Sequence, residues 1–164
     1  CHIQTARLFS RTSVSCFLLC ESNGKAVYLL YRKEQLKEYL ATGPVRELME
    51  RFGYEGMELG EILSLVGTRY REHMEGCKTF PHEIGLLLGY PAEDVKGFIE
   101  NQGRRSLYSG YWKGYSNLEE CQRIFASYDH AREKVIHLMA KGMTVRTIME
   151  MHHLYGYCPA AGAF

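Results

Sequence analysis

Apolar positions recur along this chain at two different spacings, and the change of spacing divides it. Residues 13–20, SVSCFLLC, and 25–32, KAVYLLYR, are rich in β-branched and aromatic side chains, the composition of paired strands. Ser22-Asn23-Gly24 separates them, and Asn-Gly tolerates the positive φ angles of a tight hairpin turn. The pattern then becomes helical. KEQLKEYLA, residues 33–41, is closed by Gly43-Pro44, and VRELMERFG, residues 45–53, by its own glycine. Over residues 58–75, Leu59, Ile62, Leu63, Val66 and Tyr70 fall at helical spacing and predict a third helix.

Two shorter helices are predicted from Pro81 to Leu88 and from Ala92 to Asn101. The stretch RRSLYSGYWKGYS, residues 104–116, reads as a strand. Alternation along it puts Leu107, Ser109, Tyr111, Lys113 and Tyr115 on one face, and Tyr108, Gly110, Trp112 and Gly114 on the other. Asn117, followed three residues later by Glu120, is an Asn version of a capping box. It opens a long amphipathic helix with an expected buried stripe of Leu118, Cys121, Ile124, Phe125, Tyr128, Ala131, Val135 and Leu138. Gly142 ends that helix, Thr144 can cap a last one to about His153, and residues 154–164 read as an irregular tail. There is no internal repeat and no linker. The expected fold is α+β: a helix-dominated single domain over residues 1–164, with an N-terminal β-hairpin, a later strand that can join it, and an internal helix-turn-helix-like pair.

At 164 residues and 46% hydrophobic composition, such a chain buries roughly 70% of its unfolded surface without disulfide staples. The formal net charge of +1 gives no general attraction to nucleic acid or anionic membrane. The longest apolar runs, Cys16–Cys20 and Ile84–Leu88, fall far below the ~18 residues of a membrane span. Six cysteines without a CxxC pair fit reduced thiols in a cytoplasmic protein. Cys1 in place of an initiator Met points to a chain that begins inside a longer N-terminus, rather than to a lipoprotein or a terminal-thiol nucleophile. Cys16 and Cys20 are expected on one strand face, about 13 Å apart and too far for a disulfide. Cys77, in the loop before Phe80-Pro81-His82, is the thiol expected to be exposed and reactive.

The densest candidate chemistry lies in FPHEIGLLLGYPAEDVKGFIENQG, residues 80–103. Ile84, Gly85, Leu88, Gly89, Tyr90, Val95 and Phe98 follow the packing pattern of a helix-turn-helix. That pattern supports one reading of the chain as a binding module that docks a protein partner or nucleic acid. Glu93, Asp94 and Glu100 against the single Lys96 disfavour nucleic acid, because those acids repel a phosphate backbone. Pro81 suits the first turn of the helix it opens, with Thr79 available as a cap. For His82 and Glu83 two readings stand. Glu83 can complement the positive helix end while His82 packs locally. Alternatively, a His beside a carboxylate at a helix start forms an acid/base or small-molecule-binding corner. From spacing alone the packing reading is favoured, since so short a motif often matches by chance. Tyr111, Trp112 and Lys113, with Tyr90, could line such a corner as a stacking surface.

The remaining histidines give no metal site. His130 and His137 share a helix face roughly 10 Å apart, and adjacent His152 and His153 would need Cys158 to fold back onto them. No motif specifies a cofactor.

PHEIGLLLGYP, EDVKGFIEN, Gly103 and GYWK at residues 110–113 together resemble the bacterial, largely clostridial family called domain of unknown function 3793. Looser similarity extends from about Ile3 to Tyr128. The family has no established activity and is marked by a Pro-His-Glu motif, here Pro81, His82 and Glu83. The resemblance also implies a Cys-containing segment just before the point where this chain starts, so that a thiol working with the motif would be Cys1 or Cys77. The resulting expectation is a ligand-binding or catalytic pocket built on His82 and Glu83 with Cys77, and with ligand contacts from Tyr90, Tyr111, Trp112 and Lys113.

Overall fold

The computed structural model describes Phe9, residues 12–22 and residues 24–155, with side chains through Met151. Cys1, the Asn23 of the predicted turn, the side chains of His152 and His153, Cys158 and the predicted tail from residue 156 onward lie outside the described residues.

Strands β1 (Ser15–Ser22) and β2 (Lys25–Tyr31) pair antiparallel, Cys16 opposite Leu30 and Ser22 opposite Lys25, as the turn signal predicts. The register shifts between Leu18 and Cys20. Strict alternation is therefore broken: Leu19 and Cys20 are both buried, while Cys16 stays half-buried. The two cysteines do not share one environment, because the bulge adds a residue to one strand.

Helices α1 (Lys33–Leu40) and α2 (Gly43–Arg51) follow, the second with proline in its first turn. Helix α3 (Leu59–Met74) opens on a capping box in which Glu58 N–H donates to Glu61 Oε2 at 2.8 Å, and it packs against β1. Leu29, Leu36, Val45, Leu63, Val66 and Leu86 lie in the core formed between the hairpin and these helices.

The predicted helix pair forms, with a shorter first member: α4 (Ile84–Leu87) and α5 (Ala92–Glu100). Pro81, His82 and Glu83 make the turn that leads into α4, each accepting a backbone bond from three residues ahead. Gly89, at φ +79°, closes α4: its N–H donates to Leu86 O and the next one, Tyr90 N–H, to Gly85 O, both at 2.9 Å. Tyr39 of α1 donates its hydroxyl to Tyr90 O, tying the turn to the first helix.

The predicted single strand over residues 104–115 is instead a tight hairpin. β3 (Tyr108–Ser109) and β4 (Lys113–Gly114) pair with each other around Gly110–Trp112 and form a sheet separate from β1–β2. Gly110 N–H donates to Trp112 O at 3.0 Å, so the chain reverses where alternation would carry it straight on. Helix α6 (Leu118–Ala140) explains the glycines. A Cβ on Gly110 would come within 2.5 Å of the Phe125 ring, and one on Gly114 within 2.6 Å of Cys121 Sγ.

Asn117 caps α6 as predicted, its Oδ1 accepting from Glu120 N–H at 3.1 Å. Of the expected buried stripe, only Cys121, Ile124 and Phe125 are buried. Tyr128 is half-buried, and Leu118, Ala131 and Val135 are exposed; Tyr90 and Trp112 pack on α6 only between Cys121 and Tyr128, which leaves Ala131 and Val135 uncovered. Helix α7 (Val145–Tyr155) packs back on α6 and buries Ile148. Thr144 Oγ1 accepts from Thr147 N–H at 3.2 Å, in the capping role expected of it. Among the described residues no helix is long and apolar enough to cross a membrane.

The closest approach between α5 and the second hairpin is at Gly97, where a Cβ would lie 2.5 Å from Tyr115 Cβ. Gly97→Ala is expected to destabilise the protein by about 1–3 kcal/mol through overpacking. Gly60→Ala, on a helix surface with open space around it, is expected to be neutral or to stabilise by up to about 1 kcal/mol. Urea unfolding of the two variants checks the contrast.

Candidate functional site

Helical periodicity assigns Asp94 to an exposed acidic face of α5, but the structure buries it to 1% exposure. Its Oδ1 accepts from Tyr115 N–H at 2.7 Å, Ser116 N–H at 3.1 Å and Ser116 Oγ at 3.0 Å. Its Oδ2 accepts from Trp112 Nε1 at 2.8 Å and Cys121 Sγ at 3.4 Å. Burial pushes the Asp94 carboxyl up, but the bonds from Tyr115, Trp112, Ser116 and Cys121 outweigh it and hold the group below the ordinary aspartate value. The Cys121 thiol is pushed up to about 11, by burial first and then by the Asp94 charge, so it is an inert packing group rather than a nucleophile. The indole thus fixed stacks on Tyr90 at 4.8 Å and meets Phe125 edge-on at 4.4 Å.

Between the α4–α5 pair and the second hairpin lies a cavity of about 510 Å³. Phe80, His82, Leu88 and Phe98 line it from the helical side; Tyr111, Trp112 and Lys113 line it from the hairpin, with Tyr90 between them. His82 is half-buried, its ring 5.9 Å from Phe80 and 5.4 Å from Phe98. Among the described residues no protein group hydrogen-bonds the imidazole. Lys113 Nζ donates to Gly103 O at 2.5 Å and lies 6.0 Å from the centre of the Phe98 ring. The Tyr111 hydroxyl donates to Asp129 Oδ1 at 3.0 Å, and Arg132 donates to the same oxygen at 2.8 Å.

Five of the residues singled out from sequence therefore border one cavity: His82, Tyr90, Tyr111, Trp112 and Lys113. Glu83 and Cys77 do not. Glu83 is 3% exposed; its Oε1 accepts from Tyr54 Oη and from Arg69 Nη1, both at 2.7 Å. Arg69 also reaches Phe52 O at 3.0 Å, so the carboxylate anchors α3 and the end of α2 instead of pairing with His82. Burial, and then the bond to Glu83, raise the Tyr54 phenol above its ordinary value. No side-chain bond from Glu83 caps α4. Cys77 stands exposed in the turn after α3, its Sγ 3.8 Å from Glu75 O, outside the cavity lining. Among the described residues no group of three or more His, Cys, Asp or Glu could hold a metal ion.

Sequence reasoning missed Asp94 and Arg69 as fixed charges. The one local signal for Asp94 is that it stands one helical turn before Phe98 and next to Val95 on α5, where a carboxylate turned inward needs internal donors.

A family model described as protein of unknown function (DUF3793) matches residues 2–149. The chain belongs to the DUF3793 family. No curated protein and no solved structure matches it. The Pro-His-Glu triplet of this DUF3793 protein divides between two environments, Glu83 turned into the core and His82 bordering the cavity.

Two measurements follow for this DUF3793 chain. Asp94 has a lower pKa folded than unfolded, so its contribution to stability is complete above the ordinary value of 3.8 and is lost as pH falls through the folded value. Asp94→Asn is expected to cost about 3 kcal/mol at neutral pH and to flatten the loss of stability below about pH 4, read by urea unfolding at a series of pH values. Glu83→Gln, which weakens the Arg69 pair, is expected to cost about 2 kcal/mol, less than a fully enclosed pair because Arg69 is partly exposed. His82→Ala is expected to stay within about 1 kcal/mol of the parent. Equal costs for the two variants would contradict this division of the triplet.

Proposed function

We propose that this protein binds a small, largely apolar molecule in the cavity between α4–α5 and the β3–β4 hairpin. The observation that carries the reading is the state of His82. Glu83 has Arg69 and Tyr54, and Asp94 has the hairpin. His82, wedged between two phenylalanine rings, has no hydrogen-bond partner among the described residues and lines the cavity. A half-buried polar ring with no structural partner is available to a ligand. The cavity volume of about 510 Å³ falls within the range of roughly 300–1,000 Å³ common for ligand sites. Tyr90, Trp112 and Phe98 supply flat apolar surface for an aromatic or alkyl body. Binding is preferred to catalysis because, among the described residues, Glu83 faces away from His82 and the exposed thiol of Cys77 is outside the lining, so neither group expected to work with the imidazole stands beside it.

The test uses Nile red, a neutral apolar fluorophore, with the parent protein and with Leu88→Trp, a change at an exposed lining position that fills the cavity. Saturable binding to the parent, weakened about tenfold or more in the variant with an unchanged urea midpoint, is the expected result. No binding to the parent, or equal binding to the two, overturns the reading.

A further inference from the structure

We infer that the occupant of this cavity carries one anionic group, a carboxylate or a phosphate, held between Lys113 and His82. The inference rests on the pocket reading above and concerns what the pocket selects.

Charge accounting leads to it. The one carboxylate in the lining is Asp94, and both its oxygens are already taken by five donors from Trp112, Tyr115, Ser116 and Cys121. It has no acceptor capacity left for a cationic ligand. Asp129 stands outside the lining, and its charge is offset by Arg132, which with Tyr111 donates to its Oδ1. The one Lys or Arg in the lining is Lys113. Among the described residues it has no carboxylate partner at ion-pair distance, while the ion pairs elsewhere involve Arg46, Arg69, Lys78, Lys96, Arg123 and Arg132. An ammonium has three N–H donors, and Lys113 commits one to Gly103 O. The uncommitted charge of the cavity is therefore positive.

Placement points the same way. His82 and Lys113 both lie beside the Phe98 ring, at 5.4 Å and 6.0 Å from its centre, and both line the cavity. The Gly103 carbonyl holds the ammonium, which limits the side-chain entropy lost when an anion arrives. The rings of Phe80, Phe98 and Trp112 line the same space, and a hydrogen bond to a charged donor is stronger than one between neutral groups. A flat apolar body lying against the rings, with its acidic group toward Lys113 and His82, satisfies both features together.

Isothermal titration with three probes sharing one body tests this: 2-naphthoate, 2-naphthyl phosphate and the neutral 2-naphthylmethanol. At least one anion is expected to bind about tenfold tighter than the alcohol, and which one does so identifies the head group. Lys113→Gln should bring that anion to the level of the alcohol, leave the alcohol within about twofold of its parent affinity, and be rescued by Lys113→Arg. His82→Gln should reduce the anion preference more than alcohol binding. If the alcohol binds as well as both anions, or if Lys113→Gln weakens all three alike, anion selection is overturned while the pocket stands. If neither these probes nor Nile red binds, both readings fall.

Discussion

A single buried carboxylate joins the two halves of the site. Asp94 projects from α5 into the space under the second hairpin and gathers an indole N–H, two backbone N–H groups, a hydroxyl and a thiol. Strands of two residues each have almost no ladder of their own, and an isolated hairpin of that size does not persist in water. The β3–β4 hairpin stays in place because its backbone is bonded to a charge that burial would otherwise make very unfavourable. The dependence is mutual: the carboxylate remains ionised because the hairpin supplies its donors. One wall of the cavity is thereby set by α5 and the facing wall by what α5 holds.

The second constraint is the division of the Pro-His-Glu triplet. His82 and Glu83 are adjacent in a turn, so their side chains leave the backbone in different directions. The buried one has found a charge partner on α3 and the half-buried one an aromatic slot. Glu83 is then a core element: with Arg69 and Tyr54 it ties the start of α4 to α3 and to the end of α2. His82 is positioned by that anchor without being bonded to it. A Pro-His-Glu string can thus look like a catalytic pair in sequence and be, in the fold, one core residue and one cavity-lining residue.

What was legible in the sequence was local. Asn-Gly gave the first hairpin, Gly89 the turn of the helix pair, and Asn117 the start of α6, because each depends on backbone chemistry within a few residues. Tyr90 and the Tyr111–Lys113 run, expected from sequence as one surface, line a common cavity although some twenty residues separate them. What escaped depended on partners distant in the chain. The 104–115 stretch alternates as a strand should, yet it reverses at Gly110 because α6 presses Phe125 and Cys121 against its glycines. Asp94 resembled a solvated helix acid until Tyr115 and Trp112, some twenty positions later, proved to point at it. The apolar stripe of α6 continues beyond Tyr128 without burial, since periodicity records which positions share a face and not how far the opposite layer extends.

In a fold where Glu83, Asp94, Arg69 and Asp129 all have partners fixed by folding, the groups left over are an imidazole and an ammonium beside the Phe98 ring. Leaving the half-buried imidazole without a partner costs stability, and the fold carries that cost beside walls that are tightly packed at the hairpin glycines. Gly97, Gly110 and Gly114 have no room for even a methyl group, and Trp112 is held by a hydrogen bond, a stacked ring and an edge contact at once. Walls fixed in this way cannot close over the cavity by small side-chain shifts, as close-packed interiors deform little. The space is therefore retained by the same contacts that stabilise the hairpin, and a ligand of the kind proposed would meet a surface already ordered, with little binding energy spent on arranging the protein.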